Sequence, residues 1–299
     1  MMDLQFDQLR AFLAAVDRGS FDAAARELSV TPSAVSLRIK ALEQHVGRVL
    51  LLRTRPITTT ASGETILRLA RAVQLLERDA SRELHPDGSA DGAAPSAIPI
   101  VVNADSLATW LLPVLAELAA TEPVTFDLSR EDQDHSTALL RDGTAMAAVT
   151  SSSEAVQGCT VQALGRMRYR PMASPRFAAR WFADGVTGAA LGDAPVVVFD
   201  RKDDLQDAYL RRRGVDPAGP PRHHVPASAD FATAVLLGLG WGMLPDAQGA
   251  APAAADDLVA LDDDGVLDVP LYWQQWRLDS PLLQTVASAV IAGARDALL

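Results

Sequence analysis

Apolar residues recur at helical spacing from the start of the chain. Phe6, Leu9, Phe12, Leu13 and Val16 share one face of residues 5–17, which predicts a first helix. Ser20 suits the N-cap of a second helix that ends near Leu28. In the following turn, "SVTPS", Thr31 can cap a third helix, and Pro32 suits its first position because no N–H is needed there. This helix runs to about His45 and stops before Gly47, with Val35, Ile39, Leu42 and Val46 forming one apolar stripe. Residues 49–60, "VLLLRTRPITTT", read as a short β-ribbon turning at Arg55-Pro56. Thr60 caps a long helix over 61–84, with Glu64 in its first turn and Ile66, Leu69, Ala70, Val73 and Leu76 at helical spacing. So small a module has no obvious surface to cover that last stripe, which predicts a matching helix from a second chain.

The pattern then changes. "HPDGSADGAAPSA" (85–97) is rich in Pro, Gly, Ser and Ala and reads as a linker. After it, strands alternate with helices. "IPIVV", "VTFDLS" and "MAAVT" are strands, separated by helices at about 106–119 and 135–141. "APVVVF", "WGMLP" and "PLYWQQWRL" are further strands, with helices at "DLQDAYLRRRG", "DFATAVLLGLG" and the closing "SPLLQTVASAVIAGARDALL". This alternation predicts open α/β domains, which bind ligands beyond the carboxyl ends of their strands.

Composition sharpens the picture. At 299 residues the chain is long enough for two or three domains, and 48% hydrophobic residues supply full cores. No apolar run nears the roughly 18 residues of a membrane span, and "MMDLQFDQLRAFL" lacks the pattern of an export signal. The single Cys159 suits a reducing cytoplasm and a small buried apolar role. The five histidines show no metal-ligand spacing. The net charge of −11 divides unevenly: residues 1–85 balance at +2, residues 86–299 at −13. A slightly basic module thus precedes a strongly acidic body, which suggests different partners for the two, although acidic surfaces also serve solubility.

The second and third helices read as a helix-turn-helix. Ala25 is small where the two must cross, and Val35 anchors the second of them. Its outer face offers Ser33, Ser36, Leu37 and Lys40, with Arg38 beside them. Ser20, Thr31 and Pro32 stand at the helix starts, and Arg53 and Arg55 sit on the ribbon, where a wing flanks the groove. Short polar groups at a helix start reach base edges or phosphates, and Arg and Lys neutralise phosphate. The alternative is a generic three-helix packing unit.

"FDQLRAFLAAVDRGSFDAAARELSVTPSAVSLRIKALEQHVGRVLLLRT", followed by "TASGE", resembles the N-terminal domain of LysR-type transcriptional regulators. The order of parts matches over the whole chain, and "GLGWGMLP" (238–245) resembles the family's Gly-rich turn in its second lobe. "NADSLATWL" (103–111), "LQDAYL" (205–210) and "YWQQWRL" (272–278) resemble the lysine-exporter regulators, the LysG/ArgP branch. Leu37 departs from the family's pattern, which often has a polar residue there. The resemblance implies a winged helix-turn-helix over 1–60, a dimerising helix over 61–84 and a linker over 85–97. It further implies a two-lobed effector domain like a periplasmic binding protein, with lobe I over 98–172 and 268–299 and lobe II over 173–267. It implies a homodimer or dimer of dimers on operator DNA, RNA polymerase as a further candidate partner, no cofactor, and lysine or arginine as effector.

A basic amino acid carries three charged groups, and each needs a match. The carboxylate suits N–H groups at a helix start with a hydroxyl nearby, for which Ser106, just past Asn103, is the first choice. The two cations want carboxylates, and Asp105, Glu131, Asp132, Asp203 and Asp230 lie near strand ends or helix starts. Trp110 can flank the aliphatic stem or serve as core; Thr150 and Phe199 end strands and can line the cleft. Trp273 and Trp276 read as core, "RRR" (211–213) as a solvated helix end and "DDD" (262–264) as a loop. An enzyme is disfavoured, since no G-x-S-x-G elbow, P-loop or dinucleotide fingerprint stands at a strand–helix junction. A regulator of another pathway and a solute-binding protein without DNA activity remain the alternatives.

Overall fold

The computed structural model describes residues 4–85, 95–130 and 133–299. Its N-terminal head consists of α1 (Phe6–Asp17), α2 (Phe21–Glu27) and α3 (Pro32–Val46), the antiparallel ribbon β1 (Leu51–Leu52) and β2 (Thr58–Thr59), and the start of α4 (Ala61–Leu84). The local signals act as expected. Ser20, Thr31 and Thr60 accept N–H bonds from Ala23, Ala34 and Gly63 at 3.2, 3.2 and 3.0 Å. Gly47 ends α3 in the left-handed region at φ 71°. Phe12, Val35, Leu42 and Leu50 fill the core, and Ala11, Ala15, Ala24 and Ala25 let the helices approach.

The head continues into α4 through one close contact. The Thr60 N–H donates to the Leu50 carbonyl at 2.9 Å, and a Cβ on Gly63 would lie 2.1 Å from that same oxygen. Gly63→Ala therefore forces the helix off the ribbon. We expect a loss of about 3 kcal/mol, the upper end for overpacking, read as a lower thermal midpoint of the head.

The long helix differs in part from expectation. Ile66 and Ala70, with Leu67 beside them, close the head's own core and Val73 packs against it, so three of the five stripe residues assigned to a second chain are covered within this one. Leu69 and Leu76 stay 39% and 40% exposed. Arg71 pairs with Asp17 at 2.6 Å, and Arg10 pairs with Glu77, binding α4 to α1. Further along, Leu75 enters the core of the following domain. Arg82 donates to the Pro123 carbonyl at 2.8 Å, and the Ser280 hydroxyl donates to Asp79.

The body contains β3 (Ser96–Val102), α5 (Ala104–Ser106), a π-helical turn over 107–111, α6 (Leu112–Thr121), β4 (Val124–Arg130), α7 (Gln133–Asp142), β5 (Ala147–Thr150) and β6 (Cys159–Ala173). Next come α8 (Pro175–Trp181), α9 (Gly188–Asp193), β7 (Val196–Val198), α10 (Leu205–Arg212), β8 (Arg222–His224), α11 (Ser228–Leu236) and β9 (Gly242–Pro245). The chain closes with α12 (Asp246–Ala254), β10 (Val259–Ala260), β11 (Leu267–Trp276) and α13 (Pro281–Ala297).

The main sheet runs β10-β6-β11-β5-β3-β4, with β9 also on β6, while β7 and β8 pair in parallel beside them. The parallel set β5-β3-β4 forms the first lobe, with Ile98, Ile100, Val101 and Val102 buried at its centre. A second cluster of Met172, Val197, Phe231, Val235, Leu244 and Leu258 lies around β7, β9 and the far end of β6. Long antiparallel pairing of β6 with β11 joins the two regions.

Three expectations need correction. Ser96 and Ala97 belong to β3 and not to the linker; residues 86–94 lie outside the described set. The helix after β3 starts at Ala104, two residues earlier than expected, which leaves Ser106 in its first turn as the third helical residue. The 15-residue β6 was not anticipated at all. Trp273 and Trp276 are buried as read, and Arg211 and Arg213 of the "RRR" run pair with Asp204 and Asp262. Cys159 is buried too, and loss of water pushes its thiol up to about 11.

Candidate effector cleft and DNA-facing helix

The third helix is well held from behind. Val35, Ile39 and Leu42 are buried, while Thr31, Pro32, Ser33, Leu37 and Lys40 are exposed on the opposite side. The Thr31 and Ser33 hydroxyls bond each other at 2.9 Å at the helix start. Ser36 and Lys40 line a groove with Val49 and Arg53, between α3 and the ribbon. Arg53 and Arg55 are exposed on that ribbon, and Arg38 reaches Asp7 at 3.5 Å. Ser20 is half-buried and spent on its cap. Leu37, at 69% exposure, has no packing role that would account for an apolar side chain. A thymine methyl is a partner it can touch, whereas it cannot donate to a purine. Leu37→Gln is expected to change the preferred operator at one base step by about tenfold, within the 1–3 kcal/mol of a good base contact. Selection from a randomised operator library measures this; an unchanged consensus refutes the contact.

On the body, three strands end side by side. Register places Val102 opposite Val149 on one flank and Arg130 on the other. The connection from β3 leads to β4 and the next returns to β5 on the other side of β3, which makes this edge a topological switch point, the place where open α/β sheets bind ligands. Three polar atoms at this edge, Asn103 Oδ1, Ser106 Oγ and Ser151 Oγ, are buried without a hydrogen-bond partner among the described residues. Unspent polar capacity is unusual inside a protein and marks a place built for polar contacts.

Asp105 is the hub. Its carboxylate accepts from the Tyr169 hydroxyl at 2.7 Å and from the Ser228 hydroxyl at 2.6 Å, while Gln248 Nε2 donates to that same serine at 2.8 Å. The first lobe is thereby latched to the start of α11 in the second. Asp203 approaches from the loop after β7. It accepts from the Phe199 N–H at 2.9 Å and the Leu205 N–H at 3.1 Å. Burial raises its pKa above the usual 3.8; the two backbone bonds oppose this and the nearby charge of Asp105 adds to it. Burial and then the charge of Asp105 also push the Tyr169 hydroxyl well up, so it stays a donor. Among the described residues no arginine or lysine forms an ion pair with Asp105 or Asp203. A carboxylate has about four acceptor positions, so two on each remain for a cation.

The other expected residues divide. Thr150 is buried at the end of β5, its hydroxyl accepting from the Ser152 N–H at 3.2 Å. Phe199 is half-buried beneath the guanidinium of Arg130, 5.9 Å from its ring centre. Trp110 packs into the core of the first lobe, with its indole N–H unpartnered among the described residues. Asp230 is exposed and lines a shallow depression with Thr233, Ala234 and Leu237. It follows Ser228 by two positions, about 200° round the helix, and so faces away from the latch. Glu131 and Asp132 lie outside the described residues. Sequence reading missed Tyr169, Ser228, Gln248 and Arg130. Only Ser228 carried a signal, as a small polar residue opening an apolar helix.

Residues 6–64 match the family "Bacterial regulatory helix-turn-helix protein, lysR family", and residues 97–295 match the "LysR substrate binding domain". The chain belongs to the LysR family. Its relatives place it with the LysG/ArgP regulators. It is 47% identical over 296 residues to the HTH-type transcriptional regulator LysG of Mycobacterium tuberculosis, covering 98% of this chain and 95% of that protein. It is 41% identical to the lysine export transcriptional regulatory protein LysG of Corynebacterium glutamicum, covering 97% of this chain and 98% of that one. The solved structure of full-length LysG from C. glutamicum with bound effector Arg superposes with a TM-score of 0.75 at 38% identity, covering 99% of both chains. This LysR-type chain is a transcriptional regulator and not an enzyme.

Proposed function

We propose that this regulator senses a basic amino acid, arginine or lysine, and couples it to operator binding at an amino-acid exporter gene in the cytoplasm. The observation that carries the reading is the pair Asp105 and Asp203, two carboxylates that approach from opposite lobes and form no ion pair among the described residues. Two cations in one small molecule complement them, and lysine and arginine carry that pair. The arginine bound to the C. glutamicum relative supports the same chemistry, and that relative's role in lysine export supports the target gene. Ser106, Asn103, Thr150 and Phe199 line the cleft beside the acids. The head docks α3 in the major groove with Arg53 and Arg55 alongside, and α4 pairs two chains so that two heads face a two-fold operator. Effector binding shifts regulation only by favouring one lobe arrangement over another.

Calorimetric titration of the full chain with L-arginine, L-lysine and L-leucine tests this. The two basic amino acids are expected to bind and leucine is not; equal response to all three, or to none, removes the reading. The pH dependence follows from Asp203. A cation docked on it favours the ionised form, whereas burial favours the protonated form. Arginine affinity is therefore expected to weaken as pH falls through the raised carboxyl pKa, with proton release on binding in that window. Asp203→Asn removes the dependence, which titration in buffers of different ionisation enthalpy reads directly.

A further inference from the structure

We propose that Arg130 is the cation that receives the effector's carboxylate at the mouth of the cleft, and so selects amino acids over plain diamines and guanidines. This rests on the basic amino acid reading above. The register places Arg130 at the carboxyl end of β4, directly beside Val102 and hence next to the Asn103–Ser106 turn that bears Asp105. Its guanidinium stands over the Phe199 ring at 5.9 Å, reaching from the first lobe to the strand end that carries Asp203. Arg130 is exposed and forms no ion pair among the described residues.

Charge complementarity completes the argument. Asp105, Asp203 and Arg130 present two negative charges and one positive. Arginine and lysine present two positive charges and one negative. Without Arg130 the carboxylate would enter a region already holding two others, at a Coulomb penalty that low dielectric enlarges. Ser106 Oγ, buried and unpartnered among the described residues, can donate a hydrogen bond to the carboxylate but cannot neutralise it. The guanidinium does both, with a planar fork that matches a carboxylate. The cation–π contact with Phe199 favours side-chain conformations that hold the guanidinium at the cleft, reducing the rotamer freedom lost on binding.

The test compares L-arginine with agmatine, which is arginine without its carboxylate, by calorimetry on the full chain. The wild type is expected to prefer arginine by at least about tenfold, the scale of one charge-assisted pair. In Arg130→Gln arginine weakens by about that factor, agmatine holds or tightens, and the preference collapses toward one. Arg130→Lys restores part of it. A wild type that binds agmatine as tightly as arginine overturns the proposal. So does an Arg130→Gln chain that keeps its preference, or one in which both ligands weaken equally, since that marks a purely structural role for the Phe199 contact. In each of those cases the effector reading stands. If the wild type binds neither arginine nor lysine, both fall together.

Discussion

Asp105→Asn is expected to weaken arginine binding by about 100-fold, within the range for removing one partner of a hydrogen-bonded charge pair at a binding site. The substitution keeps the shape of the side chain. One amide oxygen still accepts from Tyr169, and the amide N–H can donate to the Ser228 hydroxyl in place of accepting from it. Only the negative charge goes, and with it the match for a ligand cation. The latch of Asp105 to Ser228 at 2.6 Å also weakens, since a hydrogen bond to an ionised group is about twice as strong as a neutral one. The thermal midpoint should hardly move, which separates this effect from unfolding. Ser228→Ala serves as the control for the latch alone: it removes the contact between lobes and leaves the charge. If Asp105→Asn and Ser228→Ala lose arginine equally, the carboxylate acts by holding the lobes and not by touching the ligand.

Leu69→Glu combined with Leu76→Glu is expected to give a folded monomer that binds operator at least about 100-fold more weakly than the wild type, the gain that linked binding of two heads supplies. The two leucines are 39% and 40% exposed on α4, so charges there cost little within one chain. Their neighbours Ile66, Leu67 and Ala70 are unsuitable for the same test, because they fill the head's core and their loss would unfold it. Light scattering reads the mass and an operator with two half-sites reads the binding. A double variant that keeps the wild-type mass takes this face of α4 out of the interface.

Which parts were legible follows from how far each signal reaches. The head was, almost residue by residue, because its boundaries are set locally. Ser20, Thr31 and Thr60 cap their own helices, and Pro32 and Gly47 punctuate α3. The stripe on α4 was visible, but its partner was not. Whether Ile66 meets α1 of the same chain or a second chain depends on the ribbon's bend, which no helical period encodes. Strand β6 escaped because its partner lies about a hundred positions on, as in the Arg168–Asp268 pair, and because Gly165, Pro171 and three arginines break the apolar alternation. The cleft divided in the same way. Asp105 and Asp203 were legible as acids near strand ends. Tyr169, Ser228 and Gln248 became partners only when the long β6–β11 ladder brought the lobes together. Asp230 looked equivalent to Asp105 in the sequence, but its helix turns it the other way.

The long α4 helix has one more implication. Its 24 residues make a rod about 36 Å long, with one end sealed into the reading head through Ile66 and Ala70 and its later turns held to the sensing lobe through Leu75 and Arg82. No glycine or proline interrupts it after Gly63. A tilt of only about 5° at the sensing end moves the other by about 3 Å over that length, comparable to the rise between successive base pairs. The two ends therefore need exchange no chemistry: what travels along the rod is an angle.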